Sequence, residues 1–126
     1  MNSEEKKTIL LVEDEAIIAM NEKAALERYN YIVHHDNTGE KAVETIIDKA
    51  LHIDLILMDI KIDGNIDCIE TAAQIQKIFK DMKIVYLTAF ADEKTRKRAK
   101  KTKPIAFLSK PSNPEVLQNV INKNLS

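Results

Sequence analysis

The chain has 126 residues, 44% of them hydrophobic, and its 19 Lys/Arg against 20 Asp/Glu leave a formal net charge of −1. One domain of that length buries roughly two thirds of its unfolded surface without disulfides or a structural metal. With no run of about 18 apolar residues and no charged leader ahead of an apolar core, a soluble, cytoplasmic protein is expected. The single cysteine, Cys68, has no Cys or His at zinc-ligand spacing, which excludes an internal disulfide and argues against a sulfur-bound metal. Two glycines and three prolines leave no Gly-rich phosphate loop, linker or low-complexity tract.

In chain order, the first apolar run is TILLV (Thr8–Val12), followed directly by Glu13 and Asp14. Helical spacing follows at Ile17, Met20 and Ala24, with Met20 taken as a packing residue. YIV (Tyr31–Val33) is short and runs into His34 and His35, which suits an edge strand. Val43, Ile46, Ile47 and Ala50 mark a second helix. LILM (Leu55–Met58) is a strand buried on both faces, yet it ends abruptly in a carboxylate, Asp59. Ile69, Ala72, Ala73 and Phe79 carry a third helix, and IVYL (Ile84–Leu87) is a fourth strand that ends in Thr88.

The fourth helix, in DEKTRKRAKKTK, has Ala99 as its sole apolar residue, so it buries little and is expected to be the most loosely held element. Between Asp92 and Lys103 seven Lys/Arg face two acids, a local balance of +5 that leaves −6 for the rest. IAFL (Ile105–Leu108) is the fifth strand, with Lys110 two residues beyond it. SNPE opens the last helix, with Asn113 as cap, Pro114 at its first position and Glu115 favouring the positive end of the dipole. Leu117, Val120 and Ile121 form its apolar stripe. Strict alternation of five strands and five helices predicts a parallel α/β sheet covered by helices on both faces.

In open parallel sheets ligands bind beyond the carboxyl ends of the strands. If the first and third strands are neighbours, Glu13, Asp14 and Asp59 converge there, with Thr88 and Lys110 across the crevice. Three carboxylates repel one another and are best explained by a hard cation such as Mg²⁺ or Mn²⁺. Lysine and hydroxyl complete a cradle for an anion. The chemistry this permits is phosphoryl transfer to Asp59 as the nucleophile. Asp14 would hold the metal directly, Glu13 through water and Lys61 by its backbone carbonyl. Lys110 would pair with the phosphoryl oxygens, with the Thr88 hydroxyl and the Ala89 backbone N–H donating to them.

At these residues the sequence resembles the receiver domain of two-component response regulators. The matching pieces are ILLVEDE, DLILMDI, IVYLTA and AFLSKP, all four in order and at strand ends, and the resemblance runs from about Thr8 to Asn124. It implies one receiver domain over residues 1–126, with its core at about 8–124. The implied fold is flavodoxin-like and doubly wound, a five-stranded parallel sheet in the order 2-1-3-4-5. It further implies a phosphohistidine donor, on a histidine kinase or a histidine phosphotransfer protein. Such a switch catalyses only its own phosphoryl acceptance and slow autodephosphorylation, and is not an enzyme in the ordinary sense. Thr88 and Phe107 are the implied switch residues, acting on a face made by the fourth helix, fifth strand and fifth helix, and the Lys110–Pro111 bond is implied to be cis. Phe107 reads equally well as a core residue. An acidic output partner would suit the basic fourth helix, and a phosphorylation-dependent dimer is one form of output. Neither membrane nor nucleic acid is expected as a partner, because charge alone gives only salt-dependent, non-specific nucleic-acid binding.

The chain departs from the family at Asp67-Cys68, where the family form DGIETA has glycine. If that glycine serves a positive φ, Cys68 strains the loop. Other functions fit less well. A flavodoxin-like electron carrier needs a hydroxyl-rich phosphate loop where EDEAII presents acids, and an aspartate-nucleophile phosphatase needs an acid where Lys61 stands. The alternative from another class is a receiver-like interaction module that binds a partner without phosphorylation. His34, His35 and His52 lack ligand spacing.

Overall fold

A computed structural model describes residues 6–48, 51–60, 67–88, 93–109 and 114–125. Among them strands and helices alternate as β1 (Thr8–Val12), α1 (Ala16–Arg28), β2 (Ile32–Asp36), α2 (Gly39–Ile47), β3 (Leu55–Asp59), α3 (Cys68–Ile78), β4 (Ile84–Thr88), α4 (Glu93–Lys100), β5 (Ala106–Ser109) and α5 (Pro114–Leu125). The strands pair in parallel in the order β2-β1-β3-β4-β5, as expected. Val12 lies opposite Met58, so β1 and β3 leave the sheet side by side and deliver their following residues to one place.

Strands with helices on both faces can spare no polar position until they end. Ile9 to Val12, Leu55 to Met58 and Ile84 to Leu87 are accordingly all fully buried. Their alternate side chains feed two cores. Leu10, Val12, Ile56, Met58, Ile84 and Tyr86 pack with Ala42, Ile46, Ala72 and Ile75 of α2 and α3. Ile9, Leu11, Leu55, Leu57, Val85 and Leu87 pack with Ala19 and Leu26 of α1 and with Leu117 and Ile121 of α5. Each such side chain contributes about 1.5–3 kcal/mol on burial. No helix among the described residues is long and apolar enough to cross a membrane.

Three expectations change on contact with the structure. In α1, Ile17 and Met20 stand 75% and 69% exposed, so Met20 is not a packing residue; Ala19 and Leu26 face inward instead. Apolar residues are spread around this helix, and the spacing alone does not choose between the two stripes. Phe79 is half-exposed and terminates α3 as its C-cap. Cys68 causes no strain. It is the first residue of α3, and the described non-glycine residues with positive φ are Asn30 and Lys103. Asp67 caps that helix by accepting from the Glu70 backbone N–H at 2.7 Å, while the Glu70 carboxylate accepts from the Asp67 N–H at 3.3 Å. This capping box needs no glycine.

The fourth helix is as poorly buried as its sequence implies, with Ala99 its one fully buried side chain. A polar pin nevertheless seats it. The Thr102 hydroxyl donates to the Ala99 carbonyl at 2.6 Å and accepts from the Tyr86 hydroxyl at 2.7 Å, and the Gln76 amide of α3 donates to the Thr102 carbonyl. Pro114 and Glu115 open α5 as expected, whereas Asn113 lies outside the described residues.

Candidate functional site

The carboxyl edge of the sheet gathers three acids. Glu13 follows β1, Asp14 comes next, and Asp59 is the last residue of β3. Carboxylate oxygens of all three lie within 4.8 Å of one another. Glu13 is fully buried, Asp59 is 5% exposed, and Asp14 is half-buried at the mouth.

The edge strand braces this cluster. The Glu13 backbone N–H donates to the Asp36 carbonyl at 3.1 Å, and the His35 ring Nε2–H donates to the Glu13 carbonyl at 2.7 Å. Asp36 is itself buried and accepts from the Thr45 hydroxyl at 2.5 Å. His35 has no role legible from spacing. Its place opposite Leu11 in the parallel register is what brings its ring to the residue after β1.

Three oxygen donors with no nitrogen among them fit a hard divalent cation that keeps part of its water shell. Cys68 is not a competing ligand. Burial, with the charges of Asp67 and Asp59 adding to it, pushes its thiol up to about 12. A thiol so raised is a poor nucleophile and a poor metal ligand. Iodoacetamide at about pH 8 is therefore expected to leave native Cys68 unlabelled while denatured protein reacts fully; equal labelling of both would show an open thiol. Because the folded-state value is raised, this group's contribution to stability is complete below about pH 9 and is lost as pH rises toward about 12. The slope is at most about 1.4 kcal/mol per pH unit, and Cys68→Ala should remove it.

Thr88 ends β4, one residue beyond Leu87, which is the partner of Asp59 across the β3/β4 pair. It is 7% exposed, and its hydroxyl has no hydrogen-bond partner among the described residues. A buried hydroxyl left unsatisfied costs about 1–3 kcal/mol. An acceptor entering the pocket would remove that penalty. Lys110, Ala89 and the Lys61 carbonyl, the other residues expected at this site, lie outside the described residues, as does the Lys110–Pro111 bond.

Beside Thr88 an aromatic stack joins β4, β5 and α4. Phe107 pairs with Tyr86 in register, with ring centroids 5.4 Å apart and planes at 26°. The Arg96 guanidinium carbon sits 5.6 Å from the Phe107 centroid, a cation–π distance. Phe107 is half-buried and packs against the core. Arg96 does not stand out in the sequence, because its meeting with Phe107 depends on how α4 is seated. Burial drives the Tyr86 hydroxyl up to about 12, against the lowering effect of its bond to Thr102.

Residues 9–122 match the family described as the response regulator receiver domain. The chain belongs to that family. Among its relatives, the response regulator receiver protein CpdR of Brucella abortus is 33% identical over 119 residues, covering 94% of this chain and 97% of that protein. The sensor kinase CckA of the same organism is 25% identical over 118 residues, which span 94% of this receiver and 12% of the kinase. The transcriptional regulatory protein CitT of Halalkalibacterium halodurans is 29% identical over 86% of this chain and 48% of its own length. The receiver thus spans half or less of several curated relatives. Among solved structures, the signal receiver domain of a modulated diguanylate cyclase from Desulfovibrio desulfuricans superimposes with a TM-score of 0.87 at 31% identity, over 96% of this chain and 94% of that one. A CheY-like receiver from Methanospirillum hungatei gives 0.88 at 26% identity over the same shares.

Proposed function

We propose that this receiver is a phospho-accepting switch of a two-component phosphorelay, formed as one unit with its core at about residues 8–124. The observation that carries the reading is the convergence of Glu13, Asp14 and Asp59 within 4.8 Å at the carboxyl edge of the sheet. The unsatisfied hydroxyl of Thr88 beside them supports it.

An Asp59 carboxylate oxygen attacks the phosphorus of a phosphohistidine on a histidine kinase or phosphotransfer protein. The O–P bond forms as the P–N bond breaks, and the imidazole leaves with the electron pair. A bound Mg²⁺ or Mn²⁺ supplies positive charge that offsets the crowded anionic oxygens. Asp14 and Asp59 are assigned as its direct ligands, Glu13 as a ligand through water, and Lys61 as a ligand through its carbonyl. Lys110 and the Ala89 N–H are assigned to the phosphoryl oxygens, together with the Thr88 hydroxyl. Water later hydrolyses the acyl phosphate, so the switch resets slowly without turning over a separate substrate.

The readout follows from two-state coupling. As Thr88 turns toward the phosphoryl group, Phe107 can move into the space it leaves, altering the face of α4, β5 and α5. A cytoplasmic setting suits a partner kinase of this kind. The exposed pair Ile17 and Met20, on the helix that starts three residues after Glu13, is assigned as the donor's apolar landing site. Ile17→Asp is therefore expected to slow transfer from a phosphohistidine donor by about tenfold or more, as loss of a central apolar contact does, while labelling by acetyl phosphate stays unchanged. Equal slowing with both donors would place the defect in the pocket.

Intact-protein mass after incubation with acetyl phosphate tests the function itself. One phosphoryl adduct that requires Mg²⁺ is expected. No adduct from a protein whose circular dichroism is that of an intact α/β fold would sink the reading.

A further inference from the structure

Away from the acidic pocket, α3 and α4 enclose a groove of about 410 Å³. Its floor is Ile69 and Ala73 of α3 with Thr102 behind them, and Gln76 is held against that floor by its bond to the Thr102 carbonyl. Three cations rim it: Lys77 from α3, Arg98 from α4, and Lys101 just after α4. All three are exposed. Arg98 meets the Asp67 carboxylate at 3.1 Å, while Lys77 and Lys101 have no acidic partner among the described residues. The rest of α4 adds Lys94, Arg96, Lys97 and Lys100. These cations outnumber the acids Asp67 and Glu70 at the start of α3, so the rim carries a net positive charge, and its walls come from two helices bridged by the bond from Gln76 to the Thr102 carbonyl.

We propose that this groove docks an acidic amphipathic segment of a partner protein. An apolar side chain would rest on Ile69 and Ala73, and carboxylates three or four residues away along a helix would reach Lys77 on one side and Arg98 and Lys101 on the other. A nucleic acid is the poorer occupant, because the floor is aliphatic and offers no aromatic face on which a base could stack. The inference goes beyond the phosphoryl chemistry and does not rest on it, since the groove is built in the unphosphorylated chain.

The test uses the unphosphorylated 126-residue chain and a labelled synthetic helical peptide carrying Leu and Glu at i, i+3 and i+4. Fluorescence anisotropy measures affinity, and NMR amide shifts locate the contact. Binding is expected to shift the Ile69, Ala73 and Thr102 amides and to weaken with salt. It should fall about tenfold or more in Lys77→Glu/Lys101→Glu, with circular dichroism confirming that the variant folds. A peptide with Leu replaced by Ser should bind about tenfold more weakly as well. No binding at low salt overturns the proposal. So does equal affinity for the Ser peptide, or for a single-stranded oligonucleotide of the same charge, because either result makes the face a non-specific electrostatic surface. None of these outcomes depends on whether Asp59 accepts phosphate.

Discussion

Asp59→Asn is expected to abolish the acetyl phosphate adduct completely and, in the same protein without metal, to raise the melting midpoint. The first effect follows from chemistry. An amide is not a nucleophile toward phosphorus, and Glu13 and Asp14, although adjacent, are assigned to the metal. The second follows from crowding. Two unit charges about 5 Å apart repel by on the order of 3 kcal/mol at an effective dielectric near 20, and Asp59 has two such neighbours, one fully buried. Screening at the half-exposed Asp14, and the other interactions these carboxylates make, lower that figure, so the expected net gain is about 1–2 kcal/mol, or about 4–8 °C for a chain of this size. Mg²⁺ should reverse the ranking. At a hundred times its dissociation constant it stabilises the wild type by about 2.7 kcal/mol, and it should help the variant less, which has lost a ligand. Differential scanning calorimetry with and without Mg²⁺ reads both terms. A lower midpoint for metal-free Asp59→Asn would mean that the carboxylate is held by contacts stronger than the repulsion. An adduct surviving in Asp59→Asn would move the acceptor elsewhere.

The parts of this arrangement legible in sequence are those whose physics is local or one-dimensional. A strand buried on both faces must be continuously apolar, so TILLV, LILM and IVYL declare themselves, and the first polar residue after each marks the carboxyl edge. That is why Glu13, Asp59 and Thr88 can be placed at that edge from the sequence. Side-chain meetings set by tertiary packing are harder. The turn of α1 about its axis is decided by the fit of Ala19 and Leu26 to the sheet, and Ile17 and Met20, with the same helical spacing, end in solvent. His35 reaches Glu13 only because β2 runs two residues past Ile32–Val33–His34 to Asp36, beyond the apolar YIV. Cys68 misleads for another reason: a family glycine was assigned a backbone role, whereas the capping box of Asp67 and Glu70 starts α3 without positive φ.

The anchoring of α4 shows the same limit and yields the other large effect. Ala99 alone cannot hold an eight-residue helix of mean charge so high, and the sequence around it has no second apolar residue. Beside the Gln76 bond and the Arg98–Asp67 pair, what holds it is Tyr86, a fully buried side chain on the neighbouring strand, whose ring stacks on Phe107 and whose hydroxyl bonds Thr102. Tyr86→Ala removes ring and hydroxyl together and leaves a cavity between β4, β5 and α4. It is expected to cost about 3–5 kcal/mol, as aromatic deletions in cores do, or about 10–20 °C in midpoint. Tyr86→Phe keeps the ring and the stack, so only the hydrogen bond is lost, about 1 kcal/mol. The two variants differ in where the loss is felt. In Tyr86→Phe, amide exchange should rise about fivefold at Lys101 and Thr102, which close the end of α4 on Arg98 and Ala99, and stay near wild type in β1 and β3. Uniform acceleration across the sheet would mean that the hydroxyl stabilises the whole fold and not the seat of α4. If that seat is local, α4 is held by few contacts, and the switch proposed at Thr88 and Phe107 would need only a small displacement to move it.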